Sequence, residues 1–116
     1  MKFFGWQKGR QQTGYEKMPL LILHWPLRFD CYLLRFSKGN EIPPHIDEVE
    51  QGRHFRLNLI LKHARTGGEF FCEQTIFESR SIKLFRPDIN KHSVSKILEG
   101  KRYVLSVGWA LSELKP

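Results

Sequence analysis

His45 and Asp47 stand two apart in Ile42-Pro43-Pro44-His45-Ile46-Asp47, and His92 follows much later in Pro87-Asp88-Ile89-Asn90-Lys91-His92-Ser93-Val94. Residues i and i+2 of a strand leave the backbone on the same face, which would present an imidazole and a carboxylate side by side. Two imidazoles and one carboxylate form the facial ligand set that holds Fe(II) and leaves coordination positions open. The His-x-Asp pair supplies two of these donors, and His92 is placed to be the third. Composition alone also produces such pairs, since the chain has 5 histidines and 12 acidic residues among 116. The plain alternative is a solvated loop histidine beside an aspartate.

Elements able to position such a triad are legible as short strands. Residues 20–25 read as a strand stopped by Pro26, and 31–36 as the next, followed by the turn cluster Ser37-Lys38-Gly39-Asn40. Residues 42–47 open with two prolines, which suits a sheet edge or a bulge. A turn over 48–52 leads to an alternating strand at 54–61, and Gly67-Gly68 closes the next turn. Strands over 69–73, 81–85 (ended by Pro87) and 102–111 follow, with a short extended segment at 91–97. No helical period stands out, so the chain reads as a single all-β domain over 1–116, a sandwich or barrel. Residues 1–15 form a basic arm with Phe3, Phe4 and Trp6 at its front, expected to pack on the body.

The order of these signals resembles the 2-oxoglutarate/Fe(II)-dependent dioxygenases, nearest in layout to prolyl 4-hydroxylase-like members. The likeness rests on Pro43-Pro44 before His45, Gly67-Gly68 at a turn, Leu84-Phe85-Arg86-Pro87, His92, and Gly100-Lys101-Arg102-Tyr103, and spans about residues 30–109. It implies a mainly β fold, the double-stranded β-helix (a jelly-roll, cupin-like architecture) with little helix. It implies Fe(II) on His45, Asp47 and His92, with 2-oxoglutarate and O2 as cosubstrates. Hydroxylation of a C–H bond would then release succinate and CO2. The family places a basic anchor for the remote 2-oxoglutarate carboxylate where Arg102 stands, and a guanidinium suits bidentate pairing with a carboxylate. Arg102, Val104, Ser106 and Gly108 share one face of their strand, whereas Lys101 faces away.

Two departures mark the cosubstrate pocket. Many relatives carry a tyrosine nine residues before the first histidine and a hydroxyl residue two after the glycine pair; here these are Phe36 and Phe70. Tyr32 and Asn58, on flanking strands, are the candidates to complete the pocket, and an inward Asn58 would need partners. His24, His54 and His63 read as surface or strand-end residues outside the site.

Two other functions remain open on the same residues: a cupin-like metal protein that does not use 2-oxoglutarate, and a non-enzymatic basic binding module. The His45-Ile46-Asp47 and Arg102-Tyr103 pairs are also similar to alkylation-repair dioxygenases. A protein side chain is therefore the first expected substrate, and oxidative demethylation of nucleic acid the second. The formal charge of +7 is spread along the chain and fits either a basic soluble protein or a nucleic-acid partner. No apolar run approaches membrane-spanning length and no signal sequence is legible, so no membrane partner is expected. Cys31 and Cys72 sit in separate apolar runs, which suggests buried free thiols in a reducing cytoplasm and no zinc knuckle. With no N-terminal helices legible, the outer sheet face would be covered by the 1–15 arm or by a second copy in a homodimer.

Overall fold

The structure, a computed structural model, describes residues 5–8, 14–24, 27–47 and 52–111. They form the strands β1 (Gln7–Lys8), β2 (Glu16–Leu23), β3 (Arg28–Phe36), β4 (Ile42–His45), β5 (Arg53–Lys62) and β6 (Thr66–Gly67). The chain continues through β7 (Phe70–Cys72), β8 (Phe77–Glu78), β9 (Ile82–Phe85), β10 (His92–Val94), β11 (Ile97–Glu99) and β12 (Arg102–Leu111). Among the described residues there is no helix, and so none that could cross a membrane.

β12 organises the larger sheet because it is the longest uninterrupted run of alternating residues. Its face of Arg102, Val104, Ser106 and Gly108 is buried, while Tyr103, Leu105 and Val107 are only half-buried. Antiparallel pairing with β3 on one side and β5 on the other extends the sheet to the order β1-β2-β3-β12-β5-β9-β8. A smaller sheet, β4-β10-β7, and the ladder β11-β6 complete the jelly roll. The core consists of Tyr15, Phe36, Val94, Ile97 and Val104, with Leu34, Ile42, Ile60, Ala64 and Phe70 packed against them. These side chains come from strands far apart in the chain, and removing them from water is what holds the sheets together.

Pro43 and Pro44 are accommodated because β4 is an edge strand, where a missing backbone donor breaks no ladder. The glycine pair has a different reason. Gly67 has φ +79°, and a Cβ there would drive into the carbonyl oxygen of Lys96 on the facing chain. Gly67→Ala is therefore expected to destabilise the fold by about 2–4 kcal/mol, read as a lower denaturation midpoint, because the obstacle is backbone and cannot rotate away. Gly68 leaves the space that the stem of Arg102 fills, a Cβ there lying 3.3 Å from Arg102 Cδ.

Several expectations are corrected here. β2 begins at Glu16, before the expected strand, and runs through Pro19 with a register shift between Pro19 and Leu21. Tyr15, assigned to the arm, is a core residue at 7% exposure. Trp6 does pack on the body, its ring 3.9 Å from the Arg35 guanidinium, which also pairs with Glu16 at 2.8 Å. Phe3 and Phe4, the strand stop at Trp25-Pro26, and residues 48–51 of the expected turn lie outside the described residues. Cys31 and Cys72 are free thiols, half-buried where full burial was expected; desolvation pushes both thiols up, which lowers their reactivity.

Candidate metal centre

Pairing between β4 and β10 sets His45 directly opposite His92. The imidazole rings lie 4.3 Å apart, centre to centre. Asp47 lies beyond the end of β4, so strand alternation does not place it, contrary to the sequence reading. Its backbone N–H instead donates to the Pro87 carbonyl at 2.8 Å, pinning it beside the segment that leads to His92. The carboxylate then spans both rings: His45 Nε2 is 3.3 Å from Asp47 Oδ1, and His92 Nε2 is 3.4 Å from Oδ2. One donor atom from each residue falls within 4.8 Å of the others.

The backbone sets the tautomers. His45 Nδ1 lies 2.8 Å from the Pro43 carbonyl and His92 Nδ1 2.9 Å from the Asn90 carbonyl. A carbonyl can only accept, so Nδ1 of each ring donates to it and Nε2 is the nitrogen turned toward Asp47. Metal-binding histidines are commonly oriented by such a bond through their other nitrogen. Ligand atoms at about 2.1 Å from an ion and at right angles to each other are about 3 Å apart, close to the spacing seen here. The three residues therefore fit a divalent cation bound on one side only.

A cavity of about 480 Å³ runs from these residues into the barrel, lined among others by Phe36, Phe70, Phe85, Asn58 and Arg102. Arg102 is 2% exposed, and its Nε and Nη2 have no hydrogen-bond partner among the described residues. The Phe36 ring lies 4.9 Å from its guanidinium carbon, a favourable cation–π contact. Removal from water pulls its pKa down to about 10. Tyr15 lies stacked on the other reach of this wall, 4.9 Å from the Phe36 ring centre.

The remaining sequence candidates also face the cavity. Tyr32 lines it under the Lys17 ammonium, 5.1 Å from the ring centre. Asn58 lines it with its Oδ1 accepting from Ser106 Oγ at 2.6 Å, so the expected partner exists. Lys101 is exposed, as alternation required.

Sequence reasoning missed Tyr15, Asp30, His54 and Arg56, all of which line the same cavity. A signal for two of them was present: His54 and Arg56 share the β5 face of Asn58 by the rule of two. His54 was set aside as a strand-end residue. It is half-buried, and burial together with the Arg56 charge pushes its pKa down, keeping the ring neutral.

No protein-family model and no curated protein sequence matches this chain. Solved structures do. The Schizosaccharomyces pombe Cnp3 cupin domain matches with TM-score 0.64 at 15% identity, over 92% of this chain and 69% of that one. KdgF from Halomonas sp. matches with TM-score 0.62 at 18% identity, over 97% and 96% of the two chains. An RmlC-like cupin protein from Desulfovibrio desulfuricans gives TM-score 0.51 at 18% identity, over 83% and 81%. At such identities the likeness concerns the fold alone, a cupin-type jelly roll.

Proposed function

We propose that this cupin-type jelly roll is an Fe(II)/2-oxoglutarate-dependent oxygenase that hydroxylates a C–H bond of an organic substrate. Arg102 is the observation that carries the reading. A guanidinium at 2% exposure with two unpartnered donors is costly unless something pairs with it. A ligand carboxylate reaching the cavity floor would accept from both Nε and Nη2 in the bidentate geometry that Arg favours. His45, Asp47 and His92 line the same cavity and supply the donor types and one-sided arrangement suited to Fe(II). A cavity lined both by a metal-donor cluster and by a buried guanidinium suits a ligand with an anion at each end, and 2-oxoglutarate is one.

Bound iron and 2-oxoglutarate would supply oxidative decarboxylation and the oxidising equivalent, with succinate and CO2 released. The chain's own residues bind, orient and exclude water. The Pro43 and Asn90 carbonyls hold the two imidazoles with Nε2 inward. Phe36, Phe70 and Phe85 keep the inner cavity apolar, which strengthens the pairing of Arg102 with a carboxylate. Ser106 and Asn58 satisfy each other on the wall, and Tyr32 stands beside them as a further polar contact for the cosubstrate.

A second reading is a cupin-like metal protein that does not use 2-oxoglutarate, favoured by the cupin structures this chain resembles. Arg102 would then receive a carboxylate of the substrate itself. Anaerobic addition of Fe(II) and 2-oxoglutarate separates the two. The oxygenase is expected to develop a weak visible charge-transfer band, absent in His45→Ala and Asp47→Ala. Arg102→Ala should keep iron but lose about 3 kcal/mol of 2-oxoglutarate binding, roughly a hundredfold in affinity, for two charge-assisted hydrogen bonds. Metal binding without the band supports the second reading. No metal binding overturns both.

A further inference from the structure

A second guanidinium, that of Arg56, lines the same cavity and is held in a different way. Arg56 Nη2 donates to Asp30 Oδ1 at 2.7 Å and Nη1 to Ser106 Oγ at 2.8 Å. Nη2 also lies 3.3 Å from His54 Nε2, the acceptor nitrogen of a neutral ring. The plane of the group rests over Gly108, where a Cβ would collide with Nη2 and leave only 2.5 Å to Cζ. A glycine inside a strand weakens it, and its common purpose is to let another group come close to the backbone. The fold thus holds Arg56 flat on the wall by three contacts and one missing side chain, with its side chain only 16% exposed.

Such a clamp leaves donors over. A guanidinium has five N–H bonds, and the three contacts above use three of them. Asp30 offers Arg56 one carboxylate, but the cavity is also lined by the exposed Arg28. With Asp47 assigned to metal and Arg102 to the cosubstrate, two guanidinium groups (Arg28, Arg56) line the cavity beside one carboxylate (Asp30). A cleft with low-dielectric walls and a surplus of one sign concentrates ligands of the other.

We propose that Arg56, clamped over Gly108 by Asp30 and Ser106, selects a primary substrate that carries a carboxylate, seated in the cavity with its reacting carbon toward His45, Asp47 and His92. This rests on the oxygenase reading for the assignment of Arg102, and it names the substrate class for the same cavity. A carboxylate is favoured over a phosphate because Asp30 remains alongside, and its repulsion grows with the charge of the ligand. Arg56 is a specificity residue, and Gly108 and Asp30 are positioning residues.

The test is binding, followed by the Trp109 indole N–H resonance, with Zn(II) and saturating 2-oxoglutarate filling the inner site. The probes are benzoate and a capped tripeptide with a central glutamate, against benzamide, the glutamine tripeptide and a short oligonucleotide. Carboxylates are expected to bind at least about tenfold more tightly than their amides. Arg56→Gln should abolish that preference, and Gly108→Ala should weaken it by displacing the guanidinium. Asp30→Asn should tighten carboxylate binding several-fold, an effect that loss of a purely structural ion pair would not give. The double variant Arg56→Gln/Asp30→Asn removes both charges at once and serves if Arg56→Gln alone does not fold.

Preference for the free acid or for the glutamate peptide identifies the source of the carboxylate, and either supports the proposal. Equal binding of acids and amides, no binding of any probe, binding of the oligonucleotide alone, or weaker binding in Asp30→Asn overturns it. Repeating the titration in Arg102→Met, where the inner cation is gone, separates this inference from the one beneath it. A missing charge-transfer band with retained Arg56-dependent binding sinks only the cosubstrate assignment; the reverse pattern sinks only the substrate class.

Discussion

Replacing Arg102 with methionine is expected to make the ligand-free protein more stable and at the same time insensitive to 2-oxoglutarate. A buried cation without a partner destabilises the fold that contains it. Burial lowers the Arg102 pKa from the ordinary arginine value to about 10, which corresponds to a cost on the order of 3 kcal/mol at neutral pH. The Phe36 ring returns about 1 kcal/mol, and the smaller methionine forfeits about as much again in packing. A net gain of about 1 kcal/mol remains, roughly 4 °C in Tm for a domain of this size. Wild-type protein should gain stability on adding 2-oxoglutarate, and the variant should not.

The pH dependence follows with a definite sign. The folded state holds the Arg102 proton more weakly than the unfolded chain, so the unfolded state binds more protons from about pH 10 up to the ordinary arginine pKa. Across that window this one group makes wild-type stability rise with pH, and Arg102→Met lacks that contribution. Melting curves of both proteins, with and without 2-oxoglutarate, read all of this. A clear drop in Tm for Arg102→Met without ligand would mean that the guanidinium is already satisfied, and the case for an anionic ligand at the cavity floor would fall.

What the chain disclosed in advance depended on how local each feature is. The last strand was legible to the residue, since ten alternating positions follow a glycine turn and a strand period needs no partner to be seen. The two prolines announced an edge, and β4 is one. β6 and β8, of two residues each, were invisible because a ladder that short is set by its partner and not by its own residues. Met18-Pro19 hid the start of β2 for a similar reason, a proline being tolerated there only through a register shift.

The site divides along the same line. His45, Asp47, His92 and Arg102 could be named because residue type narrows their chemistry so much. The register that sets His45 against His92, and the Asp47–Pro87 hydrogen bond that replaces strand alternation, are tertiary and left no mark on spacing. Tyr15 looked like the end of a polar arm, yet the wall that lacks a tyrosine at Phe36 has this one stacked on it. Arg56 and Gly108 illustrate a pair that neither residue predicts alone. A glycine in a strand is a blemish, and a charged residue in an apolar run is an oddity, until the one is seen lying on the other.

The largest effect expected from any ligand alone is that of a divalent metal. At a hundred times its dissociation constant, Mn(II) or Zn(II) should stabilise the protein by about 2.7 kcal/mol, on the order of 10 °C in Tm, and excess chelator should reverse it. Asp47→Ala, His45→Ala and His92→Ala should each remove nearly all of this shift. The metal-free melts of Asp47→Ala and His45→Ala should stay within about 1 kcal/mol of wild type, because Asp47 and His45 are only half-buried and the His45 strand is a sheet edge. That contrast separates a ligand from a structural residue. In the metal-free protein the Asp47 carboxylate stands 3.3 and 3.4 Å from Nε2 of His45 and His92, longer than a good N–H···O hydrogen bond. Such a cluster gains little until a cation enters, so losing one member costs the empty fold little and the loaded fold nearly everything. A metal shift as large in Asp47→Ala as in wild type would place the donors elsewhere and leave the cavity without its centre.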